Sequence, residues 1–295
     1  MTELASSKMY VTFWGTRGSI PTPGTSTEKY GGNTPCICIT HNETVIILDA
    51  GTGIRNLGLE MVESDQKPKQ LHLFLSHTHW DHIQGLPFFL PAYSEGTHIA
   101  IYGSSKKGNF LAGILQRQMD MNYFPVEMTA FKADITINEI SDRAIQIGDV
   151  KVDWQEQIRH TGGSVRYKLT VGDKKVVYAT DIELDSIFTG KPGKNDKVLA
   201  KEYETFIKDA DLLIADGQYT GEEYPSKANW GHSSIPVVSE IAYKQNIKQL
   251  AVFHHDPLHS DNMLDQLSAA YGAKYHSMTP PMEIFWAREG LTLAI

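Results

Sequence analysis

Short apolar runs alternate along the chain with segments whose apolar residues recur at helical spacing. Residues 9–14, 36–40 and 44–48 are predicted strands, the last two joined by a turn at His41-Asn42-Glu43. A helical pattern covers residues 54–62, a strand residues 71–75 and a helix residues 111–119. Residues 165–170 and 175–180 predict a hairpin about Gly172-Asp173, because both arms carry β-branched and aromatic residues and the two-residue link suits a tight turn. Amphipathic helices follow at 196–209 and 235–246, and a short buried strand at 250–253. This mixed order implies an α/β (α+β) fold with strands in two packed sheets and helices outside.

Composition narrows the picture. With 295 residues and 41% hydrophobic content, the chain can bury a sizeable core. No hinge of Pro and Ser, low-complexity stretch or short repeat interrupts it, so residues 1–295 are expected to form one domain. Residues 1–9 lack a basic segment followed by an apolar one, and no run approaches the length of a membrane span; an unexported, cytoplasmic protein without a membrane anchor is the expectation. Cys36 and Cys38 point the same way from one strand, where a bridge would be badly strained, so they read as reduced buried thiols. A formal charge of −8 argues against an extended nucleic acid as partner, which needs a basic face.

The chemistry is concentrated at residues 76–82, Ser-His-Thr-His-Trp-Asp-His, directly after the strand at 71–75. Side chains of an extended segment alternate, so His77 and His79 leave on one side, while Asp81 and His82 aim from a second direction as the backbone turns. Two directions suit two divalent ions, and a nitrogen and oxygen donor set suits zinc first, with manganese or iron as alternatives. One such cluster is too small for two ions, and the remaining candidates all sit at strand ends. His160 precedes the hairpin and Asp181 ends it; a hairpin brings its outer ends together, so these two should be neighbours although 21 positions apart. His254 and His255 follow the strand at 250–253, and either is open to ligation.

His77-Thr-His79-Trp-Asp81-His82, the distant His160, Asp181 and the late His254 resemble, in order and spacing, the metal motifs of the metallo-β-lactamase-fold hydrolases. The likeness is nearest to the phosphodiesterase branch, with ribonuclease Z and the cyclic phosphodiesterases. Asp216 in Ala-Asp-Gly-Gln-Tyr and His232 in Trp-Gly-His-Ser-Ser are similar to that branch's acidic residue and His-Ser pair, and the loops beginning at Gly15 and Tyr30 are similar to its first loops. The resemblance implies a four-layer αββα sandwich with the site at one edge of the sheets. It implies His77, His79 and His160 on one metal, Asp81, His82 and His254 on the other, and Asp181 between them. It further implies a phosphodiesterase that uses a metal-bridged hydroxide as nucleophile, with His232 protonating the leaving oxygen and Asp216 orienting that imidazole. Asp49 is similar to the carboxylate that orients a metal-bound imidazole in this family, with a plain turn as the alternative.

Departures from the branch bear on substrate. The Lys/Arg-rich arm that ribonuclease Z uses for transfer RNA is missing, which favours a small phosphodiester such as a cyclic nucleotide or cyclic ribose phosphate. The alternatives are a thioester or lactam hydrolase of the same fold and a ribonuclease Z-like RNA endonuclease. Arg17, in a Gly-rich loop, is expected to be structural rather than a phosphate contact. His259 and Asp261 are assigned to a solvated helix N-terminus with Asp261 as its cap. Met119, Met121, Tyr123 and Phe124 are assigned to the core, a pocket wall or a homodimer contact being the alternatives. Trp80 is expected to pack over the metals.

Overall fold

The computed structural model describes residues 8–65, 67–104, 110–141, 144–190 and 193–295. Most of the N-terminal segment used to judge export therefore lies outside the described residues. The first sheet is built from β1 (Tyr10–Gly15), β2 (Cys36–His41), β3 (Thr44–Leu48), β4 (Gln70–Phe74), β5 (His98–Gly103) and β6 (Asp134–Glu139). β1 to β3 are antiparallel, and β3 to β6 are parallel. Parallel neighbours need a crossover; α1 (Gly53–Glu63) links β3 to β4, the short α2 (Trp80–Ile83) follows β4, and α3 (Leu111–Gln118) lies before β6.

The second sheet starts with β7 (Ala144–Ile147), β8 (Val150–Gln157), β9 (Ser164–Val171) and β10 (Lys174–Ala179), all antiparallel. After α4 (Asp185–Phe188) and α5 (Lys194–Ile207), β11 (Leu212–Asp216) adds parallel to β10. After α6 (Tyr224–Lys227) and α7 (Ile235–Lys244), β12 (Gln249–Phe253) adds parallel to β11. α8 (Asp261–His276) then leads to β13 (Glu283–Trp286), and β14 (Thr292–Ala294) returns to the outer side of β1. The two sheets thus run β14-β1-β2-β3-β4-β5-β6 and β13-β12-β11-β10-β9-β8-β7.

Alternation along each strand explains the layering. On β2, Ile37 and Ile39 enter the core between the sheets, whereas Cys36 and Cys38 face the helix side with Ile54, Leu57 and Met61 of α1. On β10, Val176 and Tyr178 face the opposite sheet, while Val177 and Ala179 pack with Tyr203 and Ile207 of α5 and Val238 and Ile241 of α7. Three apolar layers so formed separate helix, sheet, sheet and helix, the αββα sandwich. Both cysteines are free and buried, and burial pushes the Cys38 thiol up to about 12. No helix among the described residues is long and apolar enough to cross a membrane.

Three local expectations need correction. Met119 is buried, but Met121 and Tyr123 are more than 70% exposed, because the chain leaves α3 along the outside of the first sheet. Trp80 is 78% exposed and shields nothing: the first turn of α2 directs Asp81 and His82 inward and leaves the indole in solvent. His259 is buried, its Nε2 held 3.0 Å from a Glu223 carboxylate oxygen, and α8 is capped by Ser260, whose Oγ accepts from the Met263 amide. Asp261 instead accepts the amides of Lys29 and Tyr30. Arg17 is structural as expected, its buried guanidinium donating to the carbonyls of Gly31, Asp256 and His259.

Candidate metal centre

Strand ends place the ionisable groups. β3, β4, β10, β11 and β12 finish on one edge of the sandwich, and the next residues carry Asp49, His77, Asp181, His232 and His254 or the loops that lead to them. Asp49, Asp181 and His254 take φ of 61°, 54° and 60°. That left-handed backbone turns each side chain sharply away from its strand direction, at a conformational cost that a β-strand end does not otherwise require. His255, one residue on, turns the other way and donates from Nε2 to the Ala287 carbonyl at 2.7 Å. Of the two late histidines, His254 faces the cluster.

Seven side chains converge. His77, His79 and His160 form one group with ring nitrogens within 4.8 Å of one another, and Asp81, His82 and His254 a second on the same criterion. Asp181 lies between them: Oδ1 is 3.7 Å from both His77 Nε2 and His160 Nε2, and Oδ2 is 3.3 Å from His82 Nε2 and 3.5 Å from His254 Nε2. Asp81 Oδ2 sits 3.3 Å from His82 Nε2, 3.2 Å from His254 Nε2, and accepts the Ser19 amide.

The surroundings fix how each imidazole faces. His82 Nδ1 is 2.7 Å from Asp49 Oδ2, and Asp49 also accepts the Ser76 amide, the Ser76 hydroxyl and the Tyr178 hydroxyl. Asp49 is thus a carboxylate orienting a histidine, not a plain turn residue. His160 Nδ1 donates to the Gly231 carbonyl at 3.0 Å, and His254 Nδ1 to Gln218 Oε1 at 3.2 Å. With Nδ1 committed outward, each ring offers Nε2 to the centre. His77 Nε2 and His82 Nε2 are buried without a hydrogen-bond partner. Buried ring nitrogens aimed at a common point, beside two carboxylates, can serve a divalent cation once free of their protons and are costly to leave without a partner. The donor set fits a divalent metal.

Protonation divides the cluster. Burial, with the neighbouring imidazoles, holds His77 well below the usual histidine range; burial first and then neighbouring imidazoles also lower His79 and His160. His82 moves the other way: burial opposes its charge, but Asp81, Asp181 and Asp49 together raise it well above 6.5. Asp181 and Asp81 are lowered against the penalty of burial, chiefly by His254 and His82 in the first case and by His82 in the second.

His232 and Asp216 complete the site. Asp216 ends β11, is fully buried, and its Oδ2 lies 2.8 Å from His232 Nδ1. The His232 ring stacks on His254 at 4.9 Å between centroids and meets His160 edge-on at 5.2 Å. Burial disfavours its charge, yet Asp216 and, behind it, Asp181 and Asp81 raise it to about 9. Gln218, the Ser19 amide and the Gly231 carbonyl were absent from the sequence reading; no local pattern marks them, because each acts through a contact formed only by folding.

A family model, the Beta-lactamase superfamily domain, matches residues 44–255, a span that contains every residue of the cluster. The chain belongs to that superfamily and is a hydrolase with a divalent-metal site. Within it, the chain falls in the branch that resembles ribonuclease Z: it is 29% identical to the ribonuclease Z of Sulfolobus acidocaldarius over 251 residues, 75% of this chain and 81% of that protein. Among solved structures, the metallo-beta-lactamase fold protein YhfI from Bacillus subtilis aligns with a TM-score of 0.68 at 17% identity, covering 98% of this chain and 99% of that one. A diphosphatase of the PhnP family aligns with a TM-score of 0.65 at 17% identity, covering 97% of both chains. These last two likenesses establish the fold.

Proposed function

We propose that the protein hydrolyses a small phosphodiester, such as a cyclic nucleotide or cyclic ribose phosphate, at a pair of divalent ions, zinc first. His77, His79 and His160 would hold one ion, Asp81, His82 and His254 the other, with Asp181 shared. Ions so held would supply positive charge for the phosphate oxygens and lower the pKa of water at the site. The observation that carries the reading is the His232–Asp216 pair: an imidazole with Nδ1 fixed on a buried carboxylate at 2.8 Å and its ring against two of the ligand histidines. Hydrolysis of a lactam or thioester has no alkoxide leaving from phosphorus; a phosphodiester does, and a proton on His232 Nε2 would neutralise it as the P–O bond breaks. Asp216 accepts the Nδ1 proton and favours the charged ring, in which Nε2 carries a second proton, the one that can be given.

Substrate size rests on charge. A net −8 and the lack of a Lys/Arg-rich insertion disfavour a long polyanion. A second reading, an RNA endonuclease, is favoured by the name ribonuclease Z that the similar proteins carry. An assay of metal-replete enzyme on cyclic nucleotides, bis(p-nitrophenyl) phosphate, a precursor transfer RNA, thioesters and a lactam separates these classes. The decisive variant is His232→Ala. Turnover of an alkoxide-leaving phosphodiester should fall roughly 10²–10⁴-fold with metal content unchanged, and the loss should shrink for bis(p-nitrophenyl) phosphate, whose phenolate leaves with little protonation. Equal losses on both substrates would remove His232 from the role of acid.

A further inference from the structure

His232 stands on a loop, residues 228–234, that joins α6 to α7 with little secondary structure of its own. Something must hold it, since a proton donor displaced by an ångström loses most of its effect. The holder is the segment that follows Asp181. Ile182 accepts the Ser233 hydroxyl on its carbonyl at 2.6 Å, and the Leu184 amide donates to the same Oγ at 3.1 Å. Asp185 takes the Ser234 amide on one oxygen at 2.8 Å and the Ser234 hydroxyl on the other at 2.6 Å. On the opposite flank of His232, Glu183 accepts the Asn229 amide at 2.8 Å and the Tyr224 hydroxyl at 2.6 Å on Oε1, and the Gly231 amide at 3.2 Å on Oε2.

Glu183 is the unusual member. It is 5% exposed, close enough to the Asp185 carboxylate for the two charges to repel, and its hydrogen bonds to Tyr224, Asn229 and Gly231 are all with neutral donors. Burying a carboxylate beside other carboxylates is expensive, and a neutral acceptor would satisfy a merely structural loop contact. The Gly231 peptide explains the choice. Its amide is held by Glu183 while its carbonyl accepts His160 Nδ1, and it has a φ of 89° at a place where a Cβ would lie 2.5 Å from His160 Nδ1. Both peptide groups that flank the Gly231 Cα are therefore tied, the one before it to Glu183 and the one that joins it to His232 to His160.

We propose that Glu183 is a positioning residue for His232: its carboxylate fixes the Asn229 and Gly231 amides and so sets where the His232 imidazole meets the leaving oxygen. The proposal rests on the reading of His232 as the acid. Because Asp181, Glu183 and Asp185 follow at alternate positions, the same short segment serves the metal cluster with its first carboxylate and the acid-bearing loop with the other two.

The test is a double-mutant cycle with two substrates. In Glu183→Gln the amide nitrogen must face either the Gly231 amide or the Asn229 amide and Tyr224 hydroxyl together, so at least one loop bond is lost while shape is kept. Expected are a turnover loss of roughly 10–100-fold on an alkoxide-leaving phosphodiester, a loss within about threefold on bis(p-nitrophenyl) phosphate, and wild-type metal content. In a His232→Ala background, Glu183→Gln should add almost nothing, because a residue that acts only through the imidazole has nothing left to position. Equal losses on both substrates, or an undiminished loss in the His232→Ala background, would overturn the proposal while leaving His232 as the acid. If His232→Ala alone shows no dependence on the leaving group, both the functional reading and this inference fall. Should Glu183→Gln not accumulate as folded protein, Glu183→Asp, which keeps the charge and shortens the reach, takes its place with the same outcomes deciding.

Discussion

The two halves of the metal cluster are built on opposite principles. His77, His79 and His160 belong to a half whose protonation burial suppresses, and its outward contacts are the Ser76 hydroxyl and the Gly231 carbonyl. The half of Asp81, His82 and His254 is dense in charge: Asp49 stands behind His82, Asp81 beside it, and His82 is raised well above 6.5 against its own burial. Among the protein's own groups, then, the first half presents lone pairs and the second a proton bound between carboxylates. A cation entering the first half displaces little; one entering the second takes the place of a proton. Asp181 reaches both halves, with one oxygen toward His77 and His160 and the other toward His82 and His254.

The largest test of that division is the residue that erases it. Asp181→Ala should abolish binding of both ions and lower turnover by about 10³-fold or more, since a metal pair contributes several kcal/mol of transition-state stabilisation. Elemental analysis alongside kinetics measures both, and retention of one full-occupancy ion would show that the halves are independent of their shared carboxylate. Next, His160→Ala and His254→Ala should each bring the content from about two ions per chain to about one, by emptying different halves; crystal structures of the two metal-replete variants identify which ion survives. If both variants lose both ions, the cluster is a single cooperative unit.

Asp49→Asn should weaken metal binding roughly 10–100-fold, the usual effect of removing a carboxylate that orients a ligand imidazole, and the loss should be confined to the second half. A chelator competition in the His160→Ala and His254→Ala backgrounds reads this directly. The pH dependence should differ too. A histidine held above 6.5 carries its proton at pH 7 and must shed it to bind a metal, so second-half affinity should fall by about tenfold per pH unit as the medium is acidified below that histidine's pKa. His77, His79 and His160 are lowered from the ordinary imidazole value and already neutral at pH 7, so first-half affinity should stay flat over the pH range in which second-half affinity begins to fall. Calorimetry in buffers of different ionisation enthalpy counts the released protons, and equal release from both halves would refute the asymmetry. The smallest effect is expected at Trp80: with the indole in solvent, Trp80→Ala should change stability by no more than about 0.5 kcal/mol and leave both ions in place, whereas loss of a metal would restore it to a packing role.

Legibility followed locality. The hairpin of β9 and β10 was readable because both arms alternate about a short turn, and its closure brought His160 and Asp181 within 3.7 Å, as its outer ends predict. The strands β1 to β4 and β12 and the helices α1, α3, α5 and α7 were readable from the same periodicities. No expectation covered β5 to β8, β11, β13 or β14, and of α8 only the start was expected, at Asp261. β6 (Asp-Ile-Thr-Ile-Asn) and β8 (Val-Lys-Val-Asp-Trp-Gln) do alternate polar and apolar residues and carry a strand signal, whereas β13 and β14 are very short and β11 is a fully buried apolar run whose pattern does not distinguish strand from helix.

The sequence by itself determined which donors exist and, through the spacing of His77, His79, Asp81 and His82, that half of them act together, because neighbours within one turn of chain cannot be far apart whatever the fold. It also implied two packed sheets with helices outside, through the mixed order of strand and helix patterns. Tertiary structure decided the rest. Left-handed backbone at Asp49, Asp181 and His254 turned those residues inward and His255 outward, a choice that depends on the φ of one residue and not on its type. The same strand ends brought Asp216 to His232 and Glu183 to the loop before it, contacts across 16 and 48 positions that no local pattern encodes. Exposure was decided there as well: Trp80 and Tyr123 are apolar in sequence and solvated in the fold, because burial depends on what another part of the chain places opposite them.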